Sequence, residues 1–431
     1  MKNIYTIIAL IIFGFIATKA DEKTVELGAG YENDIWFNLD IGSVGSSPNK
    51  GWDVAFQVDG NGGIMLNTSK GMQAWVVPDA DEDSWGLPVD TTVMSSEWDS
   101  YYNSNVSWNI GAFNMDLDGF ETEFGDFGWG MYNMSNHSVT GKTIFVIKID
   151  DLTFKQFFVK KLFGGAYTFA ISDLDGTNET EYTVTNSEFV GKRYAYFNFS
   201  DGAAVDLEPA MTDWDFVIGK YTGMIDDGEK MVPFSLTGVR NNTTLQVEKL
   251  TGVDREAAEA KTLDKGNYSS DLGVIGADWK SFNMTTFQYE LEEDWVYFIA
   301  KKIDSVTNRY YRLYFTEFGG SSTGTVKFEL GETEANSVYD EAGLKILDFA
   351  INPNVISNGS AINLIINSEE NINNIEISIN GLLGNKVYSQ TLNNIIGLRA
   401  LNIDNLNLMS GMYLVNLQVN GKVVSKKLIV E

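Results

Sequence analysis

One order of elements runs through this chain twice. Trp52-Asp53-Val54-Ala55-Phe56 recurs as Trp214-Asp215-Phe216-Val217-Ile218, and an aromatic run ending in Gly stands before each: Ile35 to Leu39 before Gly42, and Tyr196 to Phe199 before Gly202. Trp129 through Asn133-Met134 recurs as Trp279 through Asn283-Met284. Ile144 to Lys148 matches Val296 to Ala300, Phe154 to Phe158 matches Tyr311 to Phe315, and both copies reach a glycine pair, Gly164-Gly165 and Gly319-Gly320. Spacing drifts from 162 residues (214 minus 52) to 150 (279 minus 129), so the copies differ by loop insertions. Order kept while spacing varies is the mark of a duplicated fold, and it limits the architecture before any propensity is consulted.

The repeated runs read as β. Thr325 to Leu330 alternates with period two, while Arg193 to Phe199 and Trp295 to Ile299 are aromatic and β-branched throughout, as strands buried on both faces are. Asp59-Gly60, Asp118-Gly119, Asp175-Gly176 and Asp227-Gly228 supply hairpin turns. One stretch predicts a helix: Asp254 as cap for Arg255 to Leu263, with its Glu-Ala-Ala-Glu-Ala-Lys core. Residues 332–343 are acidic, small and without alternation, and predict a linker. Beyond them, short strands such as Ala361 to Ile366, Ile375 to Ile379 and Met412 to Val419, with Asn380-Gly381 and Asn420-Gly421 turns, predict a small immunoglobulin-like β-sandwich over 344–431.

Residues 1–20 read as a signal peptide: Lys2, an apolar run from Ile4 to Ala17, and small residues ending at Ala20. That run is shorter than the roughly 20 residues of a membrane-spanning helix, and no later stretch approaches it. The expectation is export through the periplasm to the outside or the outer cell surface. Cys is absent, so neither disulfides nor thiolate metal sites are available. The formal net charge is -28, yet from Leu344 onward six basic residues balance six acidic ones, so the excess lies on residues 21–343. Such a surface repels phosphate backbones and anionic lipid heads, which argues against nucleic acid and membrane-surface partners.

Two resemblances follow from these residues. The tail resembles the type A C-terminal sorting domain of the type IX secretion system. The likeness rests on Asn352-Pro353-Asn354, Ser357-Asn358-Gly359, Gly381 to Val387, Leu408-Met409-Ser410-Gly411-Met412-Tyr413-Leu414-Val415 and the terminal Lys426-Lys427-Leu428-Ile429-Val430. Its opening motif departs from the usual aromatic-Pro-Asn-Pro and reads Ile351-Asn352-Pro353-Asn354. The resemblance implies engagement by the type IX machinery and export. The duplicated part is similar to the HmuY family of secreted haem-binding proteins, on Trp52-Asp53-Val54-Ala55-Phe56, the following Asn61-Gly62-Gly63, and the closing strands Val296 to Ile303 and Tyr310 to Leu330. The combined expectation is an all-β chain: two tandem HmuY-like domains over 21–185 and 186–331, a linker, and the sorting domain.

The HmuY likeness implies a haem held between axial side chains, one of them five residues after a Trp, which places Met134 and Met284 as axial positions. A thioether serves as such a ligand. The plainer reading makes each Met a flexible plug between aromatic rings. Met94 and Met115 are the available second ligands in the first copy, and neither is singled out by a motif. His137 is the lone histidine, so bis-histidine ligation within one molecule is excluded, and its polar setting reads as a solvated loop. Two acidic loops, Asp173 to Glu179 and Asp116 to Gly119, offer hard oxygen ligands for calcium or simply acidic hairpin tips.

No nucleophile elbow, phosphate loop or His-paired Ser is present, so the expectation is a ligand-binding protein and not an enzyme. The rivals are a structural or adhesive surface scaffold and a two-carboxylate glycosidase, for which Trp85, Trp98, Tyr101 and Tyr102 would be sugar-stacking aromatics.

Overall fold

A computed structural model describes residues 20–431, apart from 60–61, 116, 118–122, 227, 229, 304–306, 337–345, 382–384, 405 and 420–421. The expected leader and most of the Asp116 to Gly119 loop lie outside the described residues. No helix among those described is long and apolar enough to cross a membrane. The chain divides into two compact units, residues up to 258 together with 267–333, and residues 259–266 together with 334–431.

The first copy supplies β1 (Asp21–Glu26), β2 (Asn33–Asn38), β3 (Gly42–Pro48), β4 (Val54–Gln57), β5 (Ile64–Leu66) and β6 (Gln73–Val76). It continues through β7 (Ser100–Tyr101), β8 (Gly130–Asn133), β9 (Ser138–Gly141), β10 (Ile144–Lys148), β11 (Phe154–Phe163) and β12 (Ala166–Ser172). The second opens with β13 (Thr180–Thr185), β14 (Tyr194–Asn198), β15 (Ala203–Val205), β16 (Phe216–Asp226), β17 (Met231–Asn241) and β18 (Leu245–Leu250). It closes with β19 (Ala260–Lys261), β20 (Lys280–Asn283), β21 (Gln288–Leu291), β22 (Val296–Lys302), β23 (Asn308–Phe318) and β24 (Thr325–Thr333).

The duplication is written into the sheets. The orders β1-β24-β23-β22-β18 and β13-β12-β11-β10-β6 are the same sheet built twice, as are β17-β16-β2-β3 and β5-β4-β14-β15. In each, the first three strands of one copy sit on the body of the other. β1 closes the second copy's sheet beside β24, and β13 closes the first copy's beside β12. Likewise β2 pairs with β16, and β14 with β4. By strand order the second copy begins at β13, before the boundary expected between residues 185 and 186; the pairs β1–β24, β2–β16 and β14–β4 cross that expected boundary, and the two copies form two lobes by reciprocal exchange.

Each lobe has its own core. One gathers Val25, Phe37, Phe216, Trp279, Tyr297 and Phe328; the other gathers Phe56, Phe113, Trp129, Phe157, Phe169 and Phe197. Aromatic packing repeats as well: Phe37 stacks on Phe216 at 4.9 Å, and Phe56 meets Phe169 at 4.7 Å. Between the lobes the outer faces of β2, β16, β4 and β14 bring together Trp36, Trp214, Tyr194, Tyr196 and Trp108.

The helix expected at 255–263 does not form. Asp254 does cap, accepting from the backbone N–H groups of Glu256 and Ala257 at 3.0 and 3.2 Å, but a single turn follows. One turn is a costly nucleus, and tertiary partners take the residues instead. Arg255 donates to the Phe315 carbonyl and lies over the Tyr314 ring, while Ala260 and Lys261 turn extended and pair with residues 335–336. Within the expected linker, β24 runs on through Thr333, and residues 337–343 lie outside the described ones. Beyond it, Ile346–Asn352, Ile362–Ile372 and Ile395–Ile403 form one sheet, and a five-stranded sheet that includes Lys422–Val430 forms the second. Period-two alternation is what makes this sandwich: Ile362, Leu364 and Ile366 face the same core as Ile375, Ile377 and Ile379.

Candidate functional site

The Trp-to-Met motifs are hairpins of one geometry. β8 and β9 are joined by a turn in which Asn133 Oδ1 accepts from Ser135 N and His137 N donates to Asn133 O; β20 and β21 repeat this with Asn283, Thr285 and Phe287. His137 and Phe287 hold the same left-handed conformation, with φ of 58° and 54°. Buried Trp129 and Trp279 anchor the two bases. The thioethers stand at the opposite ends: Met134 is 72% exposed and Met284 73%. Neither is a core plug, because the tight turn that follows Asn133 or Asn283 throws the next side chain outward. Met94 is buried against Trp75 and Val146. His137 is exposed and hydrogen-bonds through Nδ1 to the Tyr132 hydroxyl at 2.6 Å.

The two hairpins differ in what lies beside them. Next to β20 and β21, aromatic rings run from solvent to core: Phe287 to Phe282 at 6.5 Å, Phe282 to Tyr289 at 5.0 Å, Tyr289 to Phe318 at 4.7 Å, Phe318 to Trp279 at 5.5 Å. Phe287 is 73% exposed and Trp279 only 1%. Phe282 and Tyr289 line a cleft of about 400 Å³ together with Phe234 and Leu236 of β17. Exposed aromatics at such a density are costly in water unless something covers them.

Lys220 and Lys280 also line the cleft, two cations on a strongly acidic chain. Lys280 Nζ donates to Thr237 O at 2.6 Å and Ala277 O at 3.3 Å, and rides over Trp279 and Phe318 at 4.1 and 4.6 Å. Burial pushes its ammonium down to about 7, with Asp278 pulling the other way. Met284 follows directly on the β20 strand that carries Phe282, whereas the Met134 hairpin lines neither of the two described cavities. The sequence pointed to the hairpins through their Trp and Met residues. It missed the ring ladder and Lys280, whose signal was the aromatic density at Phe282, Phe287 and Tyr289.

The acidic loop at 173–179 is a hydrogen-bonded turn. Asp173 pairs with Lys155 and accepts from Asn178 at 2.6 Å, and Asp175 accepts from the Thr177 backbone and hydroxyl at 2.9 and 2.6 Å. Those partners hold both carboxyls below the usual range, Asn178 leading for Asp173 and Thr177 for Asp175. Among the described residues no three acidic, His or Cys side chains are grouped to hold a metal ion. The aromatics considered for sugar stacking are packed as well: Trp85 stacks on Phe158 at 5.5 Å, Trp98 packs on the Trp75 cluster, and Tyr101 packs on the second core. The Tyr102 hydroxyl bonds Gln73 at 3.2 Å.

Comparison with known proteins adds one assignment. No curated protein matches the chain. Among solved structures, dimeric latent PorU from Porphyromonas gingivalis is similar at 8% identity with a TM-score of 0.18, over 95% of this chain and 34% of that one. The present chain thus spans about a third of that protein's length, and a superposition so loose carries no argument about fold or activity. The family model described as the secretion system C-terminal sorting domain matches residues 352–431. The closing sandwich is accordingly a type IX secretion sorting domain, and the chain that bears it is destined for the cell surface or the medium.

Proposed function

We propose that this exported protein is not an enzyme but a ligand carrier, and that its cleft beside β20 and β21 takes a flat apolar molecule bearing a carboxylate. The carrying observation is the exposed ladder of Phe287, Phe282 and Tyr289 set beside Lys220 and Lys280. Rings stack on the macrocycle or chain, and the ammonium groups meet the acid. A cleft of this size lies in the range that holds small organic ligands, roughly 300 to 1,000 Å³.

Haem belongs to this class, and the HmuY-like motifs suggest it. The residues present suit a porphyrin's face and its propionates better than its iron. Met134 and Met284 stand exposed on separate hairpins, so neither pairs with the other to enclose a metal. Met284 alone, next to the cleft wall, would supply a thioether donor to iron. The reading therefore expects metal-free protoporphyrin to bind about as well as haem.

Titration of the exported chain with both ligands, followed by tryptophan quenching and the Soret band, tests this. Binding of both, weakened in Phe282→Ala, supports the carrier reading. Binding of haem alone, abolished in Met284→Ala, replaces the macrocycle site with an axial one. No binding of either leaves a surface scaffold.

A further inference from the structure

A second cavity, of about 50 Å³, lies between the lobes, where β2 and β16 face β4 and β14. Its wall holds two buried polar atoms without hydrogen-bond partners, Asp34 Oδ1 and Arg240 Nε. Asp34 is only 8% exposed. Its place is made by Gly219, where an added Cβ would come within 1.9 Å of that same Oδ1. The Arg240 guanidinium lies between rings, 5.1 Å from Trp108 and 5.4 Å from Tyr221. A buried acceptor and a buried donor, both unmet, are costly unless a bound group satisfies them together.

The chemistry of that group follows from the wall. An anion is repelled by Asp34 and a cation by Arg240, which leaves a neutral molecule with adjacent donor and acceptor. Aromatic faces ask for C–H surface between them. A hydration site needs about 10 to 15 Å³ of such volume, so the cavity has room for three or four non-hydrogen atoms. Two carbons and two hydroxyls fit; a whole ring does not. At the wall the half-buried Trp52, edge-on to Tyr196 at 5.2 Å, offers a face for what remains outside.

We propose that the inter-lobe cavity is a carbohydrate subsite that takes the vicinal-diol edge of a sugar. One hydroxyl donates to Asp34 Oδ1, the oxygen of its neighbour accepts from Arg240 Nε–H, and the sugar ring rests on Trp52. The site shares Lys220 with the lining of the cleft beside β20 and β21 but uses neither that ammonium nor the aromatic rings of the cleft, so either stands if the other fails.

Saturation-transfer NMR on the full chain with glycerol, methyl mannoside and the same mannoside lacking one of its vicinal hydroxyls tests the assignment. Glycerol and methyl mannoside are expected to bind and the deoxy sugar to lose about tenfold, the cost of one hydrogen bond. Arg240→Met should weaken both diols by a similar factor, whereas Trp52→Ala should weaken the mannoside and leave glycerol unchanged. Phe282→Ala, in the other cleft, should change neither. No signal from either diol with folded wild type, or a signal indifferent to Arg240→Met, overturns the proposal.

Discussion

Asp53 and Asp215 each latch the other copy's exchanged strand. Asp215, in the second copy, donates its N–H to Phe37 O and accepts from Leu39 N through Oδ2, both at 2.7 Å; Asp53, in the first, does the same with Phe197 O at 2.8 Å and Phe199 N at 2.6 Å. Lys301 pairs with Asp215 at 2.7 Å, and Lys70 pairs with Asp53. Behind each Asp an asparagine completes the corner: Asn67 Nδ2 reaches Trp52 O, and Asn242 Nδ2 reaches Trp214 O, both at 2.8 Å. The Trp-Asp pair repeated in sequence is thus a joint, and its Asp carries the exchange.

Removing either carboxylate should therefore cost as much as breaking a buried ion pair. Asp53→Ala leaves Lys70 and the Phe199 N–H without their acceptor and is expected to destabilise by about 3 kcal/mol, and Asp215→Ala leaves the Leu39 N–H without its own. Of the two, Asp215→Ala is the milder, because Asp40 still pairs with Lys301 at 2.9 Å. Urea unfolding of residues 21–333 reads both, and a loss below about 1 kcal/mol for Asp53→Ala would show that the latch is idle.

Exchange also governs what folds alone. A fragment of residues 21–185 keeps β4 without β14 and β2 without β16, whereas 21–333 retains both of those pairs. The shorter fragment is expected to lack cooperative unfolding and disperse poorly in amide NMR spectra, and the longer one to unfold in a single transition. A compact, cooperative 21–185 would mean that the copies close on themselves.

Much of this was legible in the sequence, and the exception is instructive. Paired aromatic runs gave the strands because both faces of β14 and β22 are buried, and a run such as Val296 to Ala300 has no other good home. The repeat could not reveal the exchange, since β2 pairing with β4 or with β16 satisfies the same residues: Phe37 would be as well buried in either sheet. Nor could it give the exposure of Met134 and Met284, which is decided by the turn after Asn133 and Asn283 and not by the hydrophobicity of the Met. Asp254 shows the converse error, a cap whose helix is outcompeted by contacts from Phe315 and residues 335–336.

Acid stability offers a separate check on the lobe junction. Burial raises the Glu208 carboxyl to about 7 and the Asp34 carboxyl to about 6, against opposing pulls from the Tyr194 and Arg193 backbone N–H groups on the first and Arg240 on the second. Unfolded carboxyls ionise near 4, so between about pH 4 and pH 7 the folded chain holds protons that the unfolded chain has released. Stability from these groups is complete at low pH and is lost as pH rises from the unfolded value through the folded ones, by about 3 kcal/mol for Glu208. Glu208→Gln keeps the acceptor for Arg193 N and Tyr194 N and cannot ionise. Its melting temperature should match wild type near pH 4 and exceed it at pH 8; identical curves across that range would place Glu208's proton elsewhere.

Ligand binding should carry a pH signature of its own through Lys280. Its ammonium gives up its proton near pH 7 in the free cleft, while a bound carboxylate favours the charged form. Lys220, Tyr31 and Tyr289 also line the cleft, and burial, followed by the hydrogen bond to Tyr289, pushes the Tyr31 phenol up and further from neutrality. Affinity for metal-free protoporphyrin is therefore expected to be flat below pH 6 and to weaken above pH 7, approaching about tenfold per pH unit. Lys280→Met removes the proton along with the ammonium. In that variant binding should be weaker at pH 6 and independent of pH from 6 to 9, as read by tryptophan quenching. A slope that survives the substitution would assign the acid's partner to another group and leave Lys280 a structural tie between Thr237 and Ala277.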